Sequence, residues 1–249
     1  MSAFTISLIT FAFVFGGALL GMYVVLSENH LREDVKDVVR LSTGLIGTIA
    51  ALVLGLLIAS AKSSYDARNT QVKQITSNVI LLDALLEQYG PDARNLRVAL
   101  RNAVPPMVDR IWNEGDNGKS APFVATAEAQ AFVKKVQELK PDNEAKRALQ
   151  ARLLSAIADL SQSRLALFAE AHDSIPMPFV AILIFWLTMI FVSFGLFARP
   201  NPIVITAFFV GALSISCAIF LILEMDRPFG GFIQISSEPL LRALAPLAP

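Results

Sequence analysis

Four stretches of the sequence contain no Asp, Glu, Lys, Arg or His and stand apart from the rest. They are Met1 to Ser27, Leu41 to Ala61, Ser174 to Ala198 and Pro200 to Leu223, with 27, 21, 25 and 24 residues. The next longest, Pro228 to Ser237, has ten. A bilayer's hydrocarbon core is about 30 Å thick and takes roughly 20 apolar residues as a helix, which satisfies its own backbone groups where no water is present. All four stretches meet that length, so four transmembrane helices are expected. The first has no Lys or Arg ahead of its apolar part and no small-x-small cleavage site behind it, and reads as a retained helix rather than a removed leader.

Four crossings put both ends of the chain and the segment 62–172 on one side, with 28–40 and the short turn at Arg199 on the other. Segment 62–172 holds most of the charge and repeats its apolar residues at helical spacing. Val72, Ile75, Val79, Leu82 and Leu86 mark a helix that Gly90-Pro91 ends, and the absence of Gly or Pro after Ala61 makes it continuous with the second membrane helix. A second helix is expected from Asp92 to about Met107, with Leu96, Ala99, Leu100 and Ala103 on one side and Pro105-Pro106 kinking or ending it. Residues 113–122 read as loop. A third helix carries Phe132, Val133, Val136 and Leu139; a fourth, with Asp142 as its expected N-cap, carries Leu149, Leu153, Ile157, Leu160 and Leu167 back towards the membrane.

The fold class expected is therefore an all-α integral membrane protein, four transmembrane helices plus a helical bundle in water. The organisation is 1–61 (first two membrane helices and a short polar loop), 62–172 (bundle), 173–224 (last two membrane helices) and 225–249 (tail). After a turn at Pro228 to Gly231, the tail's Phe229, Phe232, Ile233, Leu240, Leu241 and Leu244 are expected at the membrane surface.

Composition agrees and narrows the function. Hydrophobic residues make up 54% and charged residues 17%, against about 25% charged in an ordinary soluble domain. Twenty-one basic residues balance 21 acidic ones, so no single-sign field gathers nucleic acid. Cys217, His30 and His172 offer neither a disulfide nor metal-ligand spacing, and no metal or cofactor is expected. Acid pairs such as Glu33-Asp34 and Glu224 with Asp226 read as solvated helix ends, and nothing resembles a catalytic constellation. The membrane stretches carry no charged residue, which disfavours a proton-coupled transporter and leaves passive conduction open.

The second membrane stretch has Gly44, Gly47, Thr48, Ala51, Gly55 and Ala59 at three- or four-residue spacing, a stripe of small side chains on one face. Small stripes let helices pack closely; the same stripe around a symmetry axis would line a gap between copies. Packing is the plainer reading of the residues alone. Bases near the membrane are almost even on the two sides, Lys62, Arg68, Arg164, Arg227 and Arg242 against Arg32, Lys36, Arg40 and Arg199, and leave orientation open.

Three local patterns occur in order. Ser63, Ser64, Tyr65, Asp66 and Arg68 follow Leu54-Gly55-Leu56-Leu57; Ile175, Pro176, Met177 and Pro178 open the third membrane helix; Glu224, Asp226, Pro228, Phe229 and Gly230 follow the fourth. Together they resemble bestrophins, most nearly the bacterial bestrophin-like branch. The resemblance implies a homopentameric ion channel in a bacterial plasma membrane, with termini and residues 62–172 cytosolic. Its partners would be the lipid bilayer, further copies of itself and inorganic ions. The second helix would line the pore through Gly44, Gly47, Thr48, Ala51, Gly55 and Ala59, and Lys62, Tyr65, Asp66 and Arg68 would form the cytosolic mouth. Ile175, Pro176, Pro178, Pro228, Phe229 and Gly230 would be the family's turns. The family's hydrophobic neck falls on Ala51, Gly55 and Ala59, where bestrophins carry larger groups, and Leu52 and Leu56 offer a second pore register. Glu224, Asp226 and Glu238 are too thin an acidic set for a calcium clasp, and no calcium gating is expected. The rival function is a non-conducting anchor whose bundle binds a protein.

Overall fold

The computed structural model describes residues 2–24, 33–116, 127–170 and 175–243. The described residues form helices α1 (Ala3–Tyr23), α2 (Glu33–Tyr89), α3 (Arg94–Asp116), α4 (Ala127–Gln137), α5 (Glu144–Glu170), α6 (Met177–Phe197), α7 (Pro202–Met225) and α8 (Glu238–Arg242), and no strand. They fall into two compact units. One comprises Met1–Ser63 with Ile175–Asp226, the other Ser64–Ser174 with Arg227–Pro249.

The first unit holds the membrane helices. The candidate spans in α1, α2, α6 and α7 have mean hydropathies of 2.1 to 2.5, and the chain is a membrane protein. Their ends are set by local chemistry: the Ser2 hydroxyl accepts from the Thr5 amide at 3.1 Å, and the Asn201 side chain accepts from the Ile203 amide at 2.9 Å, with Pro202 in the first turn of α7. Apolar clusters form between the helices, one around Val14, Ala50, Leu183, Leu187 and Ala212, the other around Ala61, Ile175, Val180, Ile219 and Ile222. Hydroxyls inside the unit find partners: Ser216 donates to the Ser7 carbonyl at 2.5 Å, and Thr43 and Ser193 share a hydrogen bond of 2.8 Å. Phe4, Phe13, Leu20, Phe185 and Ile203 point outward, as lipid-facing side chains do.

The tightest contact is between α1 and α6. A Cβ added to Gly21 would collide with the Val192 carbonyl, and one added to Gly195 with the Ala18 carbonyl. At Gly17 it would meet the Val192 and Thr188 methyls at 3.0 and 3.1 Å. The two backbones touch there because Gly17, Ala18, Gly21 and Gly195 leave room, the small-residue crossing that gives membrane helices dispersion contact without hydrophobic drive. The spacing Gly17-xxx-Gly21 is plain in the sequence, but α2 carries the same spacing in Ala51-xxx-Gly55-xxx-Ala59, and the pattern alone does not tell the two apart.

The second unit is the helical bundle. Helix α2 enters it unbroken, as the absence of Gly and Pro after Ala61 required, and ends where Gly90 takes φ 99°. A 3-10 turn, Pro91–Ala93, leads into α3. Helix α3 departs from expectation by running through Pro105 and Pro106 to Asp116. Both prolines lie on its exposed side, and the carbonyls they leave without donors fall at Arg101 and the exposed Asn102, within reach of water. The buried positions Val104, Val108 and Ile111 keep their spacing past the prolines.

The start of α5 is capped by Asn143, whose side chain accepts from the Lys146 amide at 2.8 Å, rather than by Asp142. Asp142 instead joins Asp92 on the Lys146 ammonium, each at 2.9 Å. That contact holds the Asp142 carboxyl below its ordinary range, and the two carboxylates raise the Lys146 ammonium. Gln150 of α5 closes the end of α4 by donating to the Val136 and Leu139 carbonyls at 2.9 and 3.0 Å. Between α2 and α3, buried Asp83 takes a two-pronged bond from Arg97 at 3.0 and 2.9 Å, with Arg101 at 3.7 Å. A carboxylate with 6% side-chain exposure is stable only with such partners.

The tail docks on this unit. The Trp112 indole donates to the Ile235 carbonyl at 2.7 Å and its ring meets Phe229 edge-on with centroids 5.4 Å apart. Ile235 and Leu240 are buried with Val72, Ile75, Val104, Val108 and Leu167. Of the apolar tail residues expected at the membrane surface, Leu240 is thus a core residue and Phe229 is packed on Trp112. Phe232 and Leu241 stay exposed, and Leu244 lies outside the described residues.

Candidate functional site

Helix α2 advances about 100° per residue, which sorts its membrane portion into three faces. Thr43, Ala50 and Ala61 are buried, with Ile46, Val53, Leu54 and Leu57 beside them packed against neighbouring helices of the first unit. A second face is a ridge of large side chains, Leu41, Leu45, Leu52 and Leu56, each more than 60% exposed. The third face is the small stripe. Gly44, Thr48, Ala51, Gly55 and Ala59 are exposed and Gly47 is half-buried.

The stripe does not serve packing inside the chain. A Cβ at Gly44 or Gly55 would have nothing within 4 Å, and one at Gly47 would meet only the tip of Ile190 at 3.9 Å. The close intrachain crossing for which small residues are needed lies elsewhere, between α1 and α6. Thr48 is the single hydroxyl on the stripe; it donates to the Gly44 carbonyl at 3.0 Å and so presents its oxygen outward as an acceptor. A large ridge suits lipid, whose chains need broad dispersion contact; a small face beside it suits close approach by another surface or a column of water.

Beyond Ala59 the residues named for the mouth separate. Lys62 and Asp66 continue the stripe at three- and four-residue steps and are exposed. Tyr65 is half-buried against the second unit's cluster of Val72, Ile75 and Leu240. Arg68 shares the buried face with Val72 and Ile75 and is 3% exposed, so its guanidinium belongs to the bundle's interior.

The turn residues form two groups. In the first unit, the Ile175 amide donates to the Asp226 carboxylate at 3.3 Å, Ile175 is buried with Ala61 and Ile222, and the Pro176 carbonyl accepts from the Phe179 amide at 3.0 Å while Pro178 stays exposed. The turn before α6 is thereby tied to the end of α7, where Glu224 is buried. In the second unit, the Pro228 carbonyl accepts from the Ile235 amide at 2.7 Å, Gly230 donates to the Arg227 carbonyl at 3.2 Å, and Phe229 and Tyr65 pack on one cluster. Trp112, 123 residues before its partner Ile235, is the residue of this region that the sequence pattern did not single out. An indole at the end of a helix gives no sign of so distant a carbonyl.

Comparison with known proteins agrees with this architecture. A family model described as the Bestrophin-like domain matches residues 10–240. Two crystal structures of single-residue variants of a bacterial bestrophin homologue from Klebsiella pneumoniae superimpose on the chain. One has a TM-score of 0.67 at 13% identity, covering 99% of this chain and 98% of that one; the other has 0.65 at 12%, covering 96% and 97%. No curated protein matches the sequence.

Proposed function

The chain belongs to the bestrophin-like family, and from that premise we propose that it is a passive ion channel assembled from several copies, five in the favoured arrangement, with α2 of each copy lining the pore. The observation that carries the reading is the uncovered small-residue face of α2: Gly44, Thr48, Ala51, Gly55 and Ala59 are exposed along the membrane stretch with no side chain of the chain itself laid over them. Around an axis these residues leave a path whose walls are methyls, glycine backbone and one ring of threonine oxygens. No fixed charge lies on the face within the stretch, so ions pass with their water rather than by exchange for charged ligands. Lys62 and Asp66, next on the same face, put one charge of each sign at its end.

Within the chain the close small-residue packing is made by α1 and α6 and not by the stripe, which supports the channel over the anchor. Purified protein in liposomes loaded with a salt gradient is expected to dissipate that gradient. Vesicles that hold it as well as protein-free ones would overturn the channel and leave the anchor.

The channel is placed in a bacterial plasma membrane with residues 62–172 and both termini in the cytosol, a reading supported by the family resemblance. With Cys217 replaced by serine, a cysteine introduced at Asn117 is expected to react with an impermeant thiol reagent only after the membrane is opened. Labelling of intact cells would reverse the orientation.

A further inference from the structure

Of the tail's apolar side chains, Ile235 and Leu240 are buried, while Leu241 and, most of all, Phe232 are exposed. Phe232 is 84% exposed, more than any other large apolar side chain described. Those nearest to it, Ile203 at 77%, Leu41 at 76% and Tyr23 at 74%, all belong to the membrane helices, where lipid is the solvent. Within the second unit the next are Val98 and Leu165 at 52% each. Phe232 therefore has the exposure of a membrane residue on a segment outside the four spans.

The loop beneath it is built firmly. The Ile235 amide closes it onto the Pro228 carbonyl at 2.7 Å, and Trp112 holds both arms, by its hydrogen bond to the Ile235 carbonyl and its edge contact with Phe229. Gly231 takes φ 82°, a conformation that costs glycine little, and turns the chain at the tip just before the phenylalanine.

We infer that Phe232 is a membrane-surface anchor, a single ring that enters the boundary between headgroups and acyl chains on the side where α7 ends. Chain length confines it to that neighbourhood: α7 ends at Met225, and seven residues reach at most about 25 Å even fully extended. The loop closure at Pro228 and Ile235 shortens that reach. Arg227, exposed at the root of the loop, has the charge for lipid phosphates, and Gln234 and Ser236 beyond the tip are polar and exposed. A second copy of the chain is the other occupant, and the quenching test below separates it from lipid. The inference is independent of conduction.

The test uses full-length protein in phosphatidylcholine–phosphatidylglycerol liposomes. With Cys217→Ser as background, Phe232→Cys is labelled with a nitrobenzoxadiazole fluorophore and quenched either by lipids carrying a nitroxide near the headgroup or by aqueous iodide, with Gln234→Cys as the neighbouring control. At 232 the lipid quencher is expected to outperform iodide by about twofold or more, and at 234 the order reverses. Iodide quenching at 232 equal to that at 234 would put the ring in water and overturn the anchor. Protection from both quenchers would assign it to a protein contact and overturn it equally. Phe232→Trp gives a second reading without label: the fluorescence it adds over the parent protein is expected to fall with brominated lipids. Ion flux of Phe232→Ser protein, measured alongside, tests the channel separately.

Discussion

Gly195→Ala is expected to lower the apparent unfolding temperature of the detergent-solubilised protein by about 10 °C, corresponding to about 3 kcal/mol at the upper end of overpacking costs. The added methyl would lie well inside contact distance of the Ala18 backbone carbonyl. A backbone cannot rotate away as a side-chain tip can, so α1 and α6 must separate along their whole crossing. Gly21→Ala meets the Val192 carbonyl and is expected to behave alike. Gly44→Ala is the control: it has the same chemistry in the same bilayer but nothing within 4 Å of the new atom, and it should shift stability by less than about 0.5 kcal/mol. The measurement is fluorescence-detected size exclusion after a heating series. If Gly195→Ala and Gly44→Ala melt together with the parent protein, the crossing is not where the unit is held.

Gly55→Phe is expected to abolish ion flux in liposomes while the oligomer survives. A Cβ at Gly55 meets nothing of the chain within 4 Å, so the effect of the substitution is expected between copies. Around an axis the substitution sets several large apolar rings at one level, which occlude or dewet the path. If the stripe instead seats a neighbouring helix, the same ring overpacks that contact and the assembly dissociates on size exclusion before flux is considered. Intact assembly with unchanged flux would move the pore to Leu52 and Leu56.

The membrane half of the fold was legible because its signal is length without charge. Four such stretches gave four helices, and the lack of Gly or Pro after Ala61 gave the continuity of α2 into the bundle. Contacts between distant segments were not legible. Gly17-xxx-Gly21 and Gly44 to Ala59 look alike as strings, yet a Cβ at Gly21 would strike a backbone while one at Gly44 or Gly55 would meet nothing within 4 Å, a difference that depends on the partner helix. Pro105-Pro106 reads as a break because propensity ignores which side of the helix faces water. Leu240 reads as a surface anchor because hydropathy cannot see Val72, Val108 and Ile235 gathered around it. Of the mouth residues that the resemblance implied, Lys62 and Asp66 lie on the exposed face of α2, whereas Arg68, two residues after Asp66, is turned inward.

The two units are interleaved in the chain, each built from segments on both sides of the other, and that fixes an order of biogenesis. Helix α1 reaches the bilayer first, but its partner α6 follows only after the residues from Ser64 to Ser174 have been synthesised. From the end of α1 at Tyr23 to the start of α6 at Met177 the wait is roughly 8–30 s at 5–20 residues per second. For that time the groove of Gly17, Ala18 and Gly21 faces lipid, open to any other nascent small-faced helix. The bundle waits longer still, since its cluster lacks Ile235 and Leu240 until those residues have been made. Each unit can therefore close only after segments on both sides of the other have been made.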